Sequence, residues 1–387
     1  MESQLVIILS AMSVAMAVTG MLVAHRGPTP KTARGPLAII FFSLAGLCGL
    51  PLTLTFSQTL ALFYLPALLP LLFLLPVAIY NYAKGLTEVP TSSSDGVRRD
   101  MALPLAGLAV MLGYWSLSIS DKRTLFLQGE LPTGAFQAGL ALMTFLLVLM
   151  WCVTSLVYLL ATLRLLRQHR YRLKQLYSNT DAYDLYWLDG HVFGLIGLWT
   201  ATAMAILSDN LGPATLISTS VIYGLTIIFL LTLIGYSLTI VPSSVPIAAD
   251  DISETGASPK YARSALSTDQ AKRITGKIDK AMRETACYLD PQLTLAKLSQ
   301  HIQAPQNHVS QTLNTNIGMS FFDYVAHWRV EASKPLLASS QTAIHDIALE
   351  VGFNARSTFY KAFKRETGMT PRAYRLVNIE NTKNPEM

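Results

Sequence analysis

The sequence predicts an all-α chain in two parts: a polytopic seven-helix transmembrane domain, then a cytoplasmic helical domain with two helix-turn-helix units. Three observations predict it. Hydrophobic residues make up 51% of the 387 residues and charged residues only 14%, with a mean hydropathy of +0.37; a soluble domain carries about 25% charged residues. The charge is unevenly placed. Residues 1–242 hold 13 Lys/Arg and 10 Asp/Glu clustered between long uncharged runs, while residues 243–387 hold 17 and 14 and read as an ordinary soluble domain. Beyond Ser267 the apolar residues fall at helical spacing in paired segments separated by turn residues. So much apolar surface excludes a largely disordered chain and argues against a plain soluble enzyme.

Seven uncharged runs are near the roughly 20 residues that cross a bilayer. They lie at about 5–24, 36–56, 60–82, 101–119, 134–163, 192–207 and 213–241. Positive charge orients them. The loops after the first, third and fifth runs hold Arg26, Lys31 and Arg34; Lys84, Arg98 and Arg99; and Arg164, Arg167, Arg170, Arg172 and Lys174. The loops after the second, fourth and sixth hold only Lys122 and Arg123. The odd loops are therefore expected inside, the N-terminus outside and the C-terminus in the cytoplasm. The first run is expected to be a retained span rather than a cleaved signal peptide, because its leading segment is acidic and its basic flank follows the apolar run. The lipid bilayer is the partner implied by this half.

Cys48 and Cys152 lie in apolar runs, Cys287 stands alone, and there is no CxxC pair. This excludes a disulfide framework and fits a reducing cytosol beside a membrane. Metal-ligand spacings, HExxH, GxSxG and the phosphate-binding loop are absent, so no catalytic residue, metal or cofactor is expected. Ionisable residues within the runs are nearly absent, with His191 and Asp209 at the ends of the sixth, which argues against ion-coupled transport. Pro66, Pro70 and Pro76 in the third run, and Gly46, Gly49 and Pro51 in the second, mark helices that kink and can leave pockets. Tyr114, Trp115, Trp151, Tyr158 and Trp199 supply aromatic surface, which core packing and interfacial anchoring also explain.

The inner loop 164–190 alternates Arg and Lys with Leu166, Leu173 and Leu176, as a surface-lying helix does. Tyr177-Ser178-Asn179 and Leu185-Tyr186-Trp187-Leu188 follow. This loop is the predicted docking surface for the soluble domain, with Trp187 as its marker; a plain positive-inside loop would carry the same basic residues. Residues 243–266, rich in Pro, Ser, Ala, Asp and Thr, read as a flexible linker reaching roughly 25–30 Å. The predicted domains are thus 1–242, a linker at 243–266, 267–378 and a tail at 379–387.

Ser267 with Gln270 is a capping-box pattern, and Ala271, Ile274, Ile278 and Met282 share one helix face. Thr294 caps a short helix with Leu295, Leu298 and Ile302 inward; Pro305 is expected at the first position of the next helix, which Gly318 ends. Ser320 and Asp323 open a longer helix. Then the pattern repeats: Thr342 caps a helix with Ile344, Ile347 and Ala348 inward, Gly352-Phe353 turns, and Asn354 caps a helix with Phe359 and Phe363 inward. Thr370-Pro371 starts the last helix.

The stretch TAIHDIALEVGFNARSTFYKAFKRETGMTPRAYR closely resembles the signature of the AraC/XylS-type DNA-binding domain. The matching pieces are Ile347-Ala348, Val351-Gly352-Phe353, Phe359, Phe363-Lys364, Gly368, Thr370-Pro371 and Tyr374-Arg375. LTLAKLSQHIQAPQNHVSQTLNTNIGMSFFDYVAHWRVEA resembles the first unit of the same family, and the resemblance covers about residues 272–378. It implies seven helices, two helix-turn-helix units joined by a long helix, sequence-specific binding of double-stranded DNA and control of transcription. RNA polymerase and a second copy of the chain are further partners to consider. The inner loop also resembles a segment of regulators that fuse a seven-span membrane domain to this DNA-binding domain.

The residues support that reading independently. Residues 272–378 hold 14 Lys/Arg against 8 Asp/Glu, which suits phosphate neutralisation. With Phe359 and Phe363 inward, Arg356, Ser357, Tyr360, Lys361 and Lys364 face outward, long enough to reach base edges and phosphates. The outward set of the first unit is Gln306, Asn307, Ser310, Gln311 and Asn314, rich in amides that pair bidentately with adenine. Solvated helix faces are the bland alternative, and some outward positions miss the groove. Three positions depart from the family pattern. Ala304 stands where a capping Ser is usual, Pro335 lies inside the connecting helix and is expected to kink it near 331–334, and His327-Trp328 replace more polar residues.

Together these features predict a one-component transcription regulator in a bacterial cytoplasmic (inner) membrane, controlled by a small-molecule or membrane signal of unknown identity. The alternative is a membrane transporter or enzyme whose fused DNA-binding tail regulates its own gene.

Overall fold

The computed structural model describes residues 2–87, 94–130, 134–181, 183–211, 217–239, 266–339 and 341–383. Nearly all of the expected linker, 243–266, and the end of the tail lie outside them. The described residues are helical with no strand, which agrees with the all-α expectation. They divide into two compact units. The first is Met1–Arg167 with Leu185–Pro242; the second is Gln168–Asp184 with Ser243–Met387. The second unit therefore takes a piece of chain from the expected membrane domain.

The first unit contains α1 (Glu2–Arg26), α2 (Lys31–Cys48), α3 (Leu50–Phe56), α4 (Gln58–Leu86), α5 (Ser94–Trp115), α6 (Ile119–Arg123) with a π-turn at Thr124–Gln128, α7 (Ala135–Leu176) up to Arg167, α8 (Tyr186–Leu211) and α9 (Thr219–Thr239). A helix begins or continues in each of the seven apolar runs. The second run is split at Gly49 into α2 and α3. Among the described residues, α1, α2, α4, α7 and α9 are each long and apolar enough to cross a membrane; the bent pair α5 and α6, folded by 118°, makes a sixth if it counts as one span. Among the described residues, α8 is not counted with them.

Small residues let these helices approach closely, as packing between apolar helices requires. The buried face of α1 is Ser10, Ser13, Ala17, Gly20 and Ala24, and a Cβ at Gly20 would sit 2.4 Å from the Phe41 ring of α2. Buried Ala33, Leu37, Phe41 and Leu44 of α2 meet Leu75, Ala78 and Tyr82 of α4 in the same core. Large apolar side chains instead cover the outside, including Phe136, Phe145, Leu149 and Val153 on α7. That inverted pattern is the one a lipid-facing helix shows. Lys122 is buried: its Nζ donates to the Trp115 carbonyl at 2.9 Å and sits 4.1 Å from the centre of the Phe63 ring.

The second unit holds the end of α7 from Gln168, α10 (Thr268–Glu284), a 3-10 turn at Cys287–Leu289, α11 (Leu295–His301), α12 (Gln306–Gln311) with a π-turn at Thr312–Ile317, α13 (Phe321–Ser339), α14 (Ile344–Glu350), α15 (Arg356–Thr367) and α16 (Pro371–Lys383). It has two cores. Ile278, Met282, Leu295, Leu298, Val309, Leu313, Phe321 and Val325 form one; Val330, Leu337, Ile347, Ala348, Phe353, Phe359 and Phe363 form the other. α13 contributes to both and so joins two small bundles.

Local chemistry explains the helix ends. Ser267 and Gln270 complete the capping box, Thr294 accepts from the Lys297 N–H, Ser320 from that of Asp323 and Thr370 from that of Ala373. Three expectations are corrected. Pro305 is the N-cap of α12 rather than its first residue, and Ala343 and Ala355, not Thr342 and Asn354, occupy the N-cap positions of α14 and α15. Core burial of Ile347 and Phe359 sets where these helices begin, and no cap side chain is needed. α13 also continues through Pro335 to Ser339 without interruption.

Candidate nucleic-acid interface

Two helix-turn-helix units stand one on each core. In the first, α11 turns through Gln303, at φ 49°, into α12. In the second, α14 turns through Gly352, at φ 96°, into α15. Only glycine fits there: a Cβ would lie 2.9 Å from the carbonyl oxygens of Tyr288 and Leu289.

α15 presents the expected face. Phe359, Ala362 and Phe363 are buried, whereas Arg356, Ser357, Lys361 and Lys364 are exposed and Tyr360 is half-buried. Arg356 is pre-ordered on its own helix. Its Nη2 donates to the Tyr360 hydroxyl at 3.1 Å and its guanidinium carbon lies 4.9 Å from the centre of that ring. Such a stacked guanidinium loses less freedom when it meets a base edge or phosphate. The opposite edge of α15 is anchored to α13, where Arg365 pairs with Asp323 and Glu366 accepts from His327 at 3.1 Å. The unusual His327 thus serves packing between helices, and Trp328 stacks near Tyr288 beneath Arg283.

The first unit is less uniform. Asn307 and Asn314 are exposed, while Gln306, Ser310 and Gln311 are half-buried. Asn307 Oδ1 accepts from the His308 N–H. Asn314 lies on the π-turn beyond α12, and its Nδ2 donates to Gln175 Oε1 at 2.9 Å and to Ser310 Oγ at 3.4 Å. The second set therefore lies on α15 and the first on α12 except for Asn314, which lies beyond the helix and already has a partner in the chain.

That partner belongs to a segment whose contacts periodicity could not reveal. Residues 177–180 are buried. Tyr177 forms an antiparallel bridge with Thr294, and the Ser178 N–H and hydroxyl both donate to the Leu293 carbonyl, at 3.2 and 2.7 Å. Asn179 Nδ2 donates to the carbonyls of Pro291 and Gly352. Asp181 accepts from the Thr358 hydroxyl at 2.6 Å. Burial lowers the His169 pKa and raises that of Asp184 at the edges of this segment.

At the centre is Arg329 of α13, fully buried. Nε donates to Tyr288 O at 2.7 Å, Nη1 to Ser178 O and Asn179 Oδ1 at 3.2 and 3.3 Å, and Nη2 to Ser178 Oγ and Asp290 O at 3.1 and 2.9 Å. Each of its five donors is used. Burial pushes its pKa down to about 10, so it stays charged at neutral pH. The sequence carries a signal for it: Val325, Arg329, Ser333 and Leu337 are spaced by four, and all are buried. Of the loop expected to dock, residues 175–181 make these contacts inside the second unit. Trp187 belongs to the first unit, in ring contact with Tyr82, His191 and Tyr236.

Comparison with known proteins matches residues 298–376 to the helix-turn-helix domain family. An HTH-type transcriptional regulator of Staphylococcus aureus (strain COL) is 32% identical over 83 residues, 21% of this chain and 11% of that protein. YtdP, an HTH-type transcriptional regulator of Bacillus subtilis, is 30% identical over 86 residues, 22% of this chain and 11% of its own length. The chain thus spans about a tenth of the curated relatives it matches. Among solved structures, the C-terminal domain of the two-component response regulator yesN from Fusobacterium nucleatum is 30% identical, with 28% of this chain and 99% of that chain covered and a TM-score of 0.23. Residues 298–376 of this chain form an AraC-type helix-turn-helix domain.

Proposed function

We propose that the chain is a membrane-bound, one-component transcription regulator, in which α12 and α15 read double-stranded DNA and the helices of the first unit receive the signal. The observation that carries the DNA reading is the outward face of α15. Arg356, Ser357, Lys361 and Lys364 stand exposed opposite buried Phe359 and Phe363, inside the matched helix-turn-helix domain. A recognition helix so placed enters the major groove, with long donors for base edges and cations for phosphates.

The membrane reading rests on the long apolar helices, their lipid-type surfaces and the basic odd loops. Seven spans with the N-terminus outside put loop 164–190 and the DNA-binding domain in the cytoplasm. The hydrogen bonds from Ser178 and Asn179 to Leu293 and Pro291 support one shared side for this segment and the DNA-binding domain, because segments on opposite faces of a bilayer cannot pair. Genomic binding by the full chain in its native membrane tests the proposal. Discrete enriched sites are expected, lost with an Arg356→Ala/Lys361→Ala pair; no enrichment above that pair would overturn it.

A further inference from the structure

Segment 175–181 touches both helix-turn-helix units at once. On the first it pairs with Leu293, Pro291, Thr294 and Asn314; on the second it reaches Gly352 in the turn and Thr358 in the first full turn of α15. The Asn179 amide nitrogen alone bridges the two, donating to Pro291 O and Gly352 O. Beneath it, Arg329 donates three of its five hydrogen bonds to Ser178 and Asn179. Its remaining partners are the carbonyls of Tyr288 and Asp290. A buried guanidinium stripped of three acceptors is strongly unfavourable. Arg329 is therefore buried and satisfied only while the segment is seated, and leaving the seat must expose it to water.

We propose that segment 175–181 is a regulatory strap that staples the two helix-turn-helix units into the arrangement that binds a two-part DNA site. This rests on the reading of α12 and α15 as recognition helices. Connecting helix α13 runs unbroken but carries Pro335, which removes one backbone donor, and the strap adds a second link between the two units. The strap follows directly on α7, a continuous helix from Ala135 to Leu176 that starts in the first unit. A signal that moves α7 is thereby offered the seat on Arg329 as its output, and linker 243–266 need carry nothing. Two recognition elements held in register bind as a tethered pair, so loosening the staple lowers affinity through effective concentration without removing any DNA contact.

The experiment uses the full chain in nanodiscs and a selected two-part duplex, beside duplexes carrying either half alone. Asn179→Ala with Ser178→Pro removes the bridging amide and the Ser178 N–H. The expected result is a loss of about tenfold or more on the two-part site with half-site binding unchanged, which also shows that both units still fold. A Tyr177→Cys/Thr294→Cys pair in a Cys287→Ala background links a bridged pair whose spacing suits a disulfide. Added to the release variant and oxidised, it should restore two-part affinity, and reduction should abolish the rescue. Unchanged or tighter two-part binding by the release variant overturns the strap. Failure of the wild-type chain to select any duplex would overturn the DNA-binding reading instead.

Discussion

Arg356 and Lys364 lie on one helix, yet their surroundings assign them different work. Arg356 is stacked on Tyr360 near the start of α15, where a recognition helix meets base edges. Lys364 is exposed two turns later, where a point charge meets phosphate. Arg356→Ala is expected to relax base preference and cost about 1–3 kcal/mol on the preferred site. Lys364→Ala should weaken all sequences alike and flatten the salt dependence by about one unit. Equal losses on random DNA for both would show that the roles are misassigned; titrations on selected and random duplexes at several salt concentrations decide. Arg329 has the same charge but contributes nothing to a DNA surface, because its donors are all spent on neutral oxygens inside the domain.

At the scale of elements, α7 matters most. Its first turns expose Phe136, Leu142 and Phe145, while its last turns carry Arg164, Arg167, Arg170, Arg172 and Lys174. That gradient is the one the proposed span with an inner extension would carry. A reporter that needs the periplasm should therefore work when fused after residue 125 and fail after residues 30, 90 and 175. Activity at 175 would sink the seven-span, N-outside arrangement, and it would also conflict with the pairing of Ser178 to Leu293. α12 is short and starts without a side-chain cap, as Ala304 forewarned. The π-turn beyond it carries Asn314 to Gln175, so this one amide of the face is held by the strap.

For the whole molecule, the question is which connection carries a signal. The strap offers a route that bypasses residues 243–266. A Gly/Ser insertion near Glu254 that doubles the linker should lower effective concentration only a few-fold and leave regulation intact. Promoter output from a reporter gene measures this. Loss of regulation on insertion, with the strap variants behaving as wild type, would make the linker the transmitter.

The all-α class, the apolar runs, most helix boundaries in the second unit and the outward face of α15 were legible in the sequence, because each depends on residues within a turn or two of one another. Phe359 and Phe363, four apart, suffice to orient Arg356 and Lys361. The caps at Ser267, Thr294, Ser320 and Thr370 likewise need only a partner three residues on. The misplaced caps at Thr342 and Asn354 show where that local rule yields: burial of Ile347 and Phe359 chose the helix starts. Tertiary structure alone decided the seat of 177–181. Ser178 meets Leu293 across 115 residues, and Asn179 meets Gly352 across 173. No periodicity encodes such a contact, since its partners are mainly backbone carbonyls, which every residue carries. Only the folded chain brings Tyr288, Asp290, Ser178 and Asn179 around one guanidinium and makes Arg329 an interior residue instead of one more cation on a basic domain.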